Sequence, residues 1–264
     1  MIRDLIRIDG RRALITGAAG GLGSMIAATL AEIGADLILV EKPDVSCEDL
    51  EQSLFDNFQS QPAIYRCDLE DSVQRNELIE HFVNSGQELS ILVNNAALAG
   101  TSALAGWSVP FVEQSLDTWS RAIEVNLTAP FQLCQGLYPI MKKSAGPTII
   151  NVASIYGTLA PDWNLYEGTS LGNPAAYSAS KGGLIQLTRW LASTVAPEVR
   201  VNSISPGGIF RNQPQIFVDR YSARTPLKRM AVEDDFAGAI ALLSSDLSRY
   251  MTGQNLIIDG GWGI

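Results

Sequence analysis

The stretch Leu14-Ile15-Thr16-Gly17-Ala18-Ala19-Gly20-Gly21-Leu22-Gly23 decides how the rest of the chain is read. A short apolar run leads into a glycine-rich turn, and Leu22, Ile26, Leu30 and Ile33 then recur at helical spacing on one face. Strand, glycine turn and amphipathic helix together make the first unit of a dinucleotide-binding sheet. The glycines let backbone approach a pyrophosphate, and the helix N-terminus offers unpaired N–H groups and a positive dipole end. Such a turn also joins strand to helix where nothing binds, so the end of the second strand carries weight. That strand, Ala35 to Val40, ends at Glu41, where an acidic side chain accepts hydrogen bonds from an adenosine ribose. A carboxylate there repels a 2′-phosphate, and the loop from Ala18 to Leu22 has no Arg or Lys to hold one. NAD is therefore favoured over NADP. Lys42 alone points the other way, and a solvated lysine at a strand end is the preferred reading of it.

A second signal lies in Tyr177-Ser178-Ala179-Ser180-Lys181. Positions i and i+4 share one helix face. A free phenol titrates at about 10 and is a poor base at neutral pH. A cation about 4 Å away, at an effective dielectric of about 20, favours the phenolate by roughly 4 kcal/mol. That amounts to about three pKa units, so the spacing predicts a tyrosine tuned for proton transfer.

The chain resembles the short-chain dehydrogenase/reductase family over essentially its whole length. Thr16 to Gly23 resembles the family's cofactor loop, Asp68-Leu69 its adenine-contacting pair, and Asn94-Asn95-Ala96-Ala97 its sheet-stabilising motif. Asn126, Ser154, Tyr177 and Lys181 fill the places of its catalytic tetrad, and Pro206-Gly207 those of its nicotinamide-side loop. The resemblance implies an α/β fold, a single doubly wound Rossmann-type domain over residues 1–264 whose parallel sheet has helices on both faces. It implies hydride transfer between a hydroxyl or carbonyl and a nicotinamide. Tyr177 would exchange the proton, Lys181 would lower the Tyr177 pKa and hold the ribose, Ser154 would steady the reacting oxygen, and Asn126 would hold a relaying water. Cofactor contacts are implied at Gly17, Ala19, Gly21, Leu22, Gly23, Glu41, Asp68, Leu69, Asn95, Ala96, Tyr177, Lys181, Pro206, Gly207 and Ile209. Subunit contacts through the C-terminal region and two long helices are implied as well, giving a homotetramer or homodimer.

Departures from the family pattern are equally informative. Ser154 and Tyr177 are farther apart than in most members, with residues 161–172 as the extra segment. Tyr166 within it is followed four residues on by Ser170 rather than lysine, which excludes it as the proton donor. Arg211 stands where the family commonly has a threonine against the carboxamide. For Asn126 and Ser154 the competing readings are a helix kink before Pro130 and a strand-end turn serine.

Composition narrows the remaining classes. The 264 residues carry a net charge of −9 and no basic run, which argues against nucleic acid or anionic membrane as a partner. Cys47, Cys67 and Cys134 lack metal-ligand spacing and suit reduced thiols in a cytoplasm. A single histidine, His81, excludes multi-histidine metal sites, so no metal is expected. Neither a signal peptide nor a transmembrane span is expected. Ser46 to Asp49 resembles a capping box with Leu50, Leu54 and Phe58 as the core face behind it, and Ser115 is expected to cap the helix carrying Asn126. Leu184, Leu187, Leu191 and Val195 form the inner stripe of the Tyr177 helix.

Three segments, 97–119, 155–176 and 208–230, are expected to build a pocket for a small-molecule substrate, the last as a lid. Trp107, Phe111, Trp163, Tyr166 and Glu167 would bind a sugar face and its hydroxyls, unless they only pack the loops. Arg211, Arg220, Arg224, Lys228 and Arg229 would hold a substrate phosphate or carboxylate, or else form a solvated face or subunit salt bridges, the second being preferred. Tyr166 to Ser170, Gly208-Ile209-Phe210-x-Asn212-Gln213-Pro214 and Thr252 to Asn255 resemble a bacterial subgroup linked to flagellin glycosylation and legionaminic-type acid synthesis. This implies an amino sugar, sugar phosphate or nucleotide sugar as substrate. The alternatives are a generic polyol or hexose dehydrogenase, a 3-oxoacyl reductase, or a non-catalytic NAD-sensing protein.

Overall fold

A computed structural model describes residues 1–99 and 104–264. The expectation for segment 97–119 thus falls partly on 100–103, outside the described residues. Short helix α1 (Ile2–Ile6) precedes β1 (Arg12–Thr16), α2 (Gly21–Glu32), β2 (Asp36–Glu41), α3 (Glu48–Phe58), β3 (Ala63–Arg66), α4 (Ser72–Ser85) and β4 (Ile91–Asn94). Next along the chain come α5 (Leu116–Ile123), α6 (Ala129–Met141), β5 (Thr148–Val152), α7 (Ala175–Val195), β6 (Arg200–Pro206), α8 (Gln215–Arg224), α9 (Ala237–Ser244) and β7 (Asn255–Ile258). The strands form one seven-stranded sheet in the order β3-β2-β1-β4-β5-β6-β7, every neighbour parallel. Strand order reverses between β1 and β4. That switch point leaves a crevice at the carboxyl ends of the strands.

The alternation of side chains along each strand divides the core in two. Ala13 and Ile15 of β1, with Leu37 and Leu39 of β2, join Ile26 and Leu30 of α2 and Ile240 of α9 on one face. Leu14, Ile38 and Val40 join Leu78 and Phe82 of α4, Leu133 and Leu137 of α6, and Leu191 and Val195 of α7 on the other. Parallel strands covered on both faces read as continuous apolar runs, as β4 does. Buried polar residues within the strands pair laterally. Asn94 Nδ2 donates to Asn151 Oδ1 at 2.8 Å, and Asn151 Nδ2 donates to Thr188 Oγ1 at 2.8 Å, so the sheet is stitched to α7.

Local expectations fare unevenly. Ser115 caps α5 by accepting from the Asp117 N–H at 3.1 Å. The proposed box at Ser46 is only half made. Cys47 occupies the cap position without a side-chain capping bond, while Ser46 Oγ accepts from the Glu48 N–H at 3.2 Å. Leu54 is buried, with Leu50 and Phe58 packed against the same core, as the periodicity predicts. Between α5 and α6 the helix widens into a π turn, Glu124–Thr128, with Asn126 at its middle. Such bulges interrupt the i to i−4 ladder and turn a side chain inward. No helix among the described residues is long and apolar enough to cross a membrane.

Candidate active site

The crevice at the switch point is a continuous cleft of about 590 Å³, lined at one end by the glycine turn and at the other by Ser154, Tyr177 and Lys181. The glycine turn is shaped by backbone that only glycine tolerates at two positions. Gly17 adopts φ +63°, and a Cβ there would stand 2.8 Å from Ala96 Cα. A Cβ on Gly23 would run into the Gly17 carbonyl oxygen. Helix α2 therefore begins hard against the end of β1. Its cap residue, Gly20, has no side chain to satisfy the first amides, which are left for an anionic ligand. Asn95 braces the turn from beneath, donating to the carbonyl oxygens of Thr16 at 3.0 Å and Gly17 at 2.9 Å. Thr16 Oγ1 accepts in return from the Asn95 and Ala96 N–H groups. This cradle fits a nicotinamide dinucleotide: glycine-lined backbone, free amides, and an acidic strand end for a ribose.

At that strand end Glu41 accepts from the Ala19 N–H and the Lys42 N–H, both at 3.0 Å. Lys42, the residue that spoke for a 2′-phosphate, pairs with Asp68 at 3.2 Å. Asp68 and Leu69 line the same end of the cleft, as do Ala19, Gly21 and Leu22. Ala96, Pro206, Gly207 and Ile209 line its middle. Every cofactor-contact position inferred from the sequence thus borders one cavity.

The reactive end is assembled from two elements. Strand β5 delivers Ser154 just past its last residue, with Oγ accepting from the Tyr156 N–H at 3.2 Å. Helix α7, whose cap position is Pro174, delivers Tyr177 in its first turn and Lys181 one turn later. Lys181 Nζ donates to the Val152 carbonyl oxygen at 2.6 Å and lies 5.9 Å from the centre of the Tyr177 ring. Burial brings the Lys181 amine down from 10.5 to about 7. Burial also raises the Tyr177 phenol; the neighbouring Ser154 hydroxyl, and then the charge of Arg211, pull it back down.

This corrects the sequence-based expectation that Lys181 drags the phenol well below its ordinary value. A Coulomb argument at fixed separation omits the cost of removing both groups from water, and here that cost leads for each. The side chain of Asn126 is committed within the fold. It is fully buried behind the cleft wall, accepting from the Leu98 N–H at 2.8 Å and donating to the Leu98 carbonyl and Ser180 Oγ at 3.0 Å each. Both of its functional ends are thereby used in joining the post-β4 loop to α7.

The substrate side differs from the expected set. Trp107 is a core residue, 1% exposed, its indole N–H donating to the Ala99 carbonyl. Phe111 and Trp163 point to solvent, and neither they nor Glu167 line the cleft. Tyr166 does line it, and its hydroxyl pairs with that of Tyr156 at 2.7 Å. Tyr156, Asn173, Gln213, Phe217, Tyr221 and Met230 complete the wall. Among these the sequence singled out only Gln213, inside the Gly208 to Pro214 motif. Tyr156 and Asn173 carried no more signal than membership of the long segment before Tyr177. The lid region is packed rather than open, for Phe217, Tyr221 and Met230 are buried with Ile155, Leu165 and Trp262.

Its basic residues are mostly engaged within the chain. Arg224 pairs with Asp162 and covers the Trp262 ring, Arg229 pairs with Asp235, and Lys228 and Arg220 donate to backbone carbonyls. Arg211 alone of the five lines the cleft. Among the described residues no group of three or more His, Cys, Asp or Glu has the arrangement to hold a metal.

A doubly wound parallel sheet with a glycine-cradled cleft and a Ser, Tyr and Lys at its far end defines a nicotinamide-dependent oxidoreductase. The chain belongs to the short-chain dehydrogenase/reductase family, whose members interconvert hydroxyl and carbonyl groups with NAD or NADP; the family model described as "Enoyl-(Acyl carrier protein) reductase" matches residues 17–263. It is 32% identical to the 3-oxoacyl-(acyl-carrier-protein) reductase FabG of Thermotoga maritima, over 97% of this chain and 99% of the relative. It is 27% identical to the post-translational flagellin modification protein A of Campylobacter coli, over 97% and 100%. Among solved structures, a short-chain dehydrogenase from Leptospira borgpetersenii with bound NAD+ superposes with a TM-score of 0.84 at 31% identity, covering 100% of this chain and 96% of that one. A gluconate 5-dehydrogenase from Burkholderia cenocepacia in complex with NADP and tartrate does so with 0.84 at 28%, covering 99% and 98%.

Proposed function

We propose that this protein is an NAD-dependent dehydrogenase or reductase that works on a hydroxyl or carbonyl of a sugar-type substrate, with Tyr177 as the acid–base group. The observation that carries the reading is the single cleft running from the glycine turn to Ser154, Tyr177 and Lys181. The nicotinamide, when bound, supplies the hydride acceptor or donor. Tyr177 then takes or gives the hydroxyl proton of the substrate, and Ser154 donates to the same substrate oxygen as charge develops on it. Lys181, seated on the Val152 carbonyl, stands one helical turn from Tyr177 and holds the cofactor ribose. Asn126 keeps α7 at the right distance from the loop after β4.

Three features support NAD and a sugar. Glu41 offers a carboxylate where a 2′-phosphate would lie, and the nearest cation, Lys42, is committed to Asp68. The substrate wall combines aromatic faces with hydroxyl and amide groups, Tyr156, Tyr166 and Asn173, suited to a polyhydroxylated ring. Similarity to a flagellin modification protein points the same way. A second reading, reduction of 3-oxoacyl thioesters, is favoured by the similarity to FabG. We further propose a homodimer or homotetramer, since Phe131 on α6 and Trp190 on α7 are 39% and 55% exposed.

The deciding experiment is a coenzyme-coupled panel with NAD(H) and NADP(H) against amino sugars, sugar phosphates, nucleotide sugars, polyols and 3-oxoacyl thioesters. Turnover of a sugar class with NAD(H) is expected. Turnover confined to thioesters or simple polyols would overturn the sugar assignment and leave the oxidoreductase class standing.

A further inference from the structure

The turn after Gly208 is braced at both ends. Asn212 sits in the left-handed region at φ 56°. The side chain of Gln213 closes the turn, accepting from the Arg211 N–H at 2.7 Å and donating to the Ile209 carbonyl at 2.8 Å. Pro214 then opens α8, and Tyr221 on that helix accepts from the Gly208 N–H at 2.6 Å. The side chain this frame holds out over the cleft is Arg211, which is 43% exposed.

Arg211 Nε pairs with Glu233 Oε1 at 3.3 Å, and its two terminal nitrogens have no other acceptor among the described residues. The same Glu233 oxygen lies against the start of α2, where a Cβ built on Gly21 would be only 2.7 Å from it. The guanidinium therefore stands beside the glycine turn, on the way from α2 to Tyr177, whose phenol its charge also pulls down. The other cations lining the cleft are engaged: Lys42 with Asp68, and Lys181 with the Val152 carbonyl.

Building on the dinucleotide reading of the cleft, we infer that Arg211 is a clamp for the cofactor pyrophosphate and that Glu233 is its resting partner. A single carboxylate contact through Nε leaves the planar fork free for a diphosphate, which offers two charged groups in place of one. Glu233 without Arg211 would be a bare carboxylate beside the amides that the pyrophosphate needs. The position that the family resemblance assigns to a threonine thus carries a charged grip in this chain.

The test is equilibrium binding of NADH, ADP-ribose and adenosine to the full chain without substrate. Arg211→Gln should weaken NADH and ADP-ribose by about tenfold, the size expected for a lost charge-assisted contact, while adenosine, which lacks the pyrophosphate, changes less than about twofold. Glu233→Gln should bind ADP-ribose at least as tightly as the parent, and added to Arg211→Gln it should recover part of the loss. Circular dichroism melts should match across the set. If Arg211→Gln binds ADP-ribose within about twofold of the parent, or loses adenosine affinity to the same degree, Arg211 merely shapes the loop and the inference is overturned. Failure of the parent protein itself to bind NADH would instead overturn the dinucleotide reading, and the clamp with it.

Discussion

Lys181 Nζ donates to the carbonyl oxygen of Val152 at 2.6 Å, anchoring the second turn of α7 to the last residue of β5. That bond sets the distance between the strand that leads into Ser154 and the helix turn that carries Tyr177. It also holds an amine in a site where burial has brought its pKa to about 7.

Stability should record that amine. An unfolded chain binds its lysine protons up to about 10.5, whereas the native chain releases the Lys181 proton near 7. Between those values the unfolded state holds more protons, so rising pH favours the native state. The raised thiols of Cys47, Cys67 and Cys134 act in the opposite sense only above their ordinary value of 9.0. The ligand-free parent should therefore gain melting temperature from pH 7 to 9 relative to Lys181→Met. Parallel pH profiles of the two proteins in thermal denaturation would contradict this.

Tyr177→Phe removes one oxygen and keeps the ring. NADH affinity should stay within about threefold of the parent while kcat falls by on the order of a hundredfold or more, the usual share of general acid–base catalysis. In the parent, alcohol oxidation should speed up with pH as the raised phenol ionises, and carbonyl reduction should slow. Stopped-flow hydride transfer together with NADH fluorescence titration measures both. Retained turnover in the phenylalanine variant would remove Tyr177 from the chemistry.

Asn126→Leu should damage the fold before it damages catalysis. The substitution strands the Leu98 N–H and the Leu98 carbonyl and removes the donor to Ser180 Oγ, which keeps only its bond to the Tyr177 carbonyl, with Asn126 itself fully buried. Unsatisfied buried groups cost about 1–3 kcal/mol each, so a loss of roughly 3 kcal/mol or more is expected in urea denaturation. A variant of near-parental stability that turns over slowly would mean that Asn126 acts mainly on protons, as the resemblance implied.

Glu41→Ala should shift coenzyme preference. Removing the carboxylate leaves the Ala19 and Lys42 amides to solvent and lifts repulsion from a 2′-phosphate. The ratio of kcat/KM for NADPH over NADH should rise on the order of tenfold, a change of about 1.4 kcal/mol. An unchanged ratio would show that discrimination lies elsewhere in the cleft.

The local pieces were readable from the residues because they depend on short-range rules. The apolar run into Gly17 forced a strand and a tight turn, the Leu22 to Ile33 spacing forced a helix, and the four-residue step from Tyr177 to Lys181 put both on one face. Family resemblance then named catalytic and cofactor-contact positions that all border the cleft except Asn126. Aromatic residues in polar loops defeated the same approach. Nothing in the neighbourhood of Trp107 or Phe111 distinguishes a core indole from a solvent-facing ring.

Tertiary structure decided whatever depends on distance across the sheet or on the loss of water. Strand order brought Asp68, Ser154 and Ile209 to one crevice, and the π turn put Asn126 behind it. Burial reversed the Coulomb expectation at Tyr177, and the fold paired Lys42 with Asp68 and Arg211 with Glu233. Periodicity along a chain encodes which face of an element is apolar. It does not encode how deeply a charge will be buried or which distant partner will meet it, and those two quantities set the chemistry of the cleft.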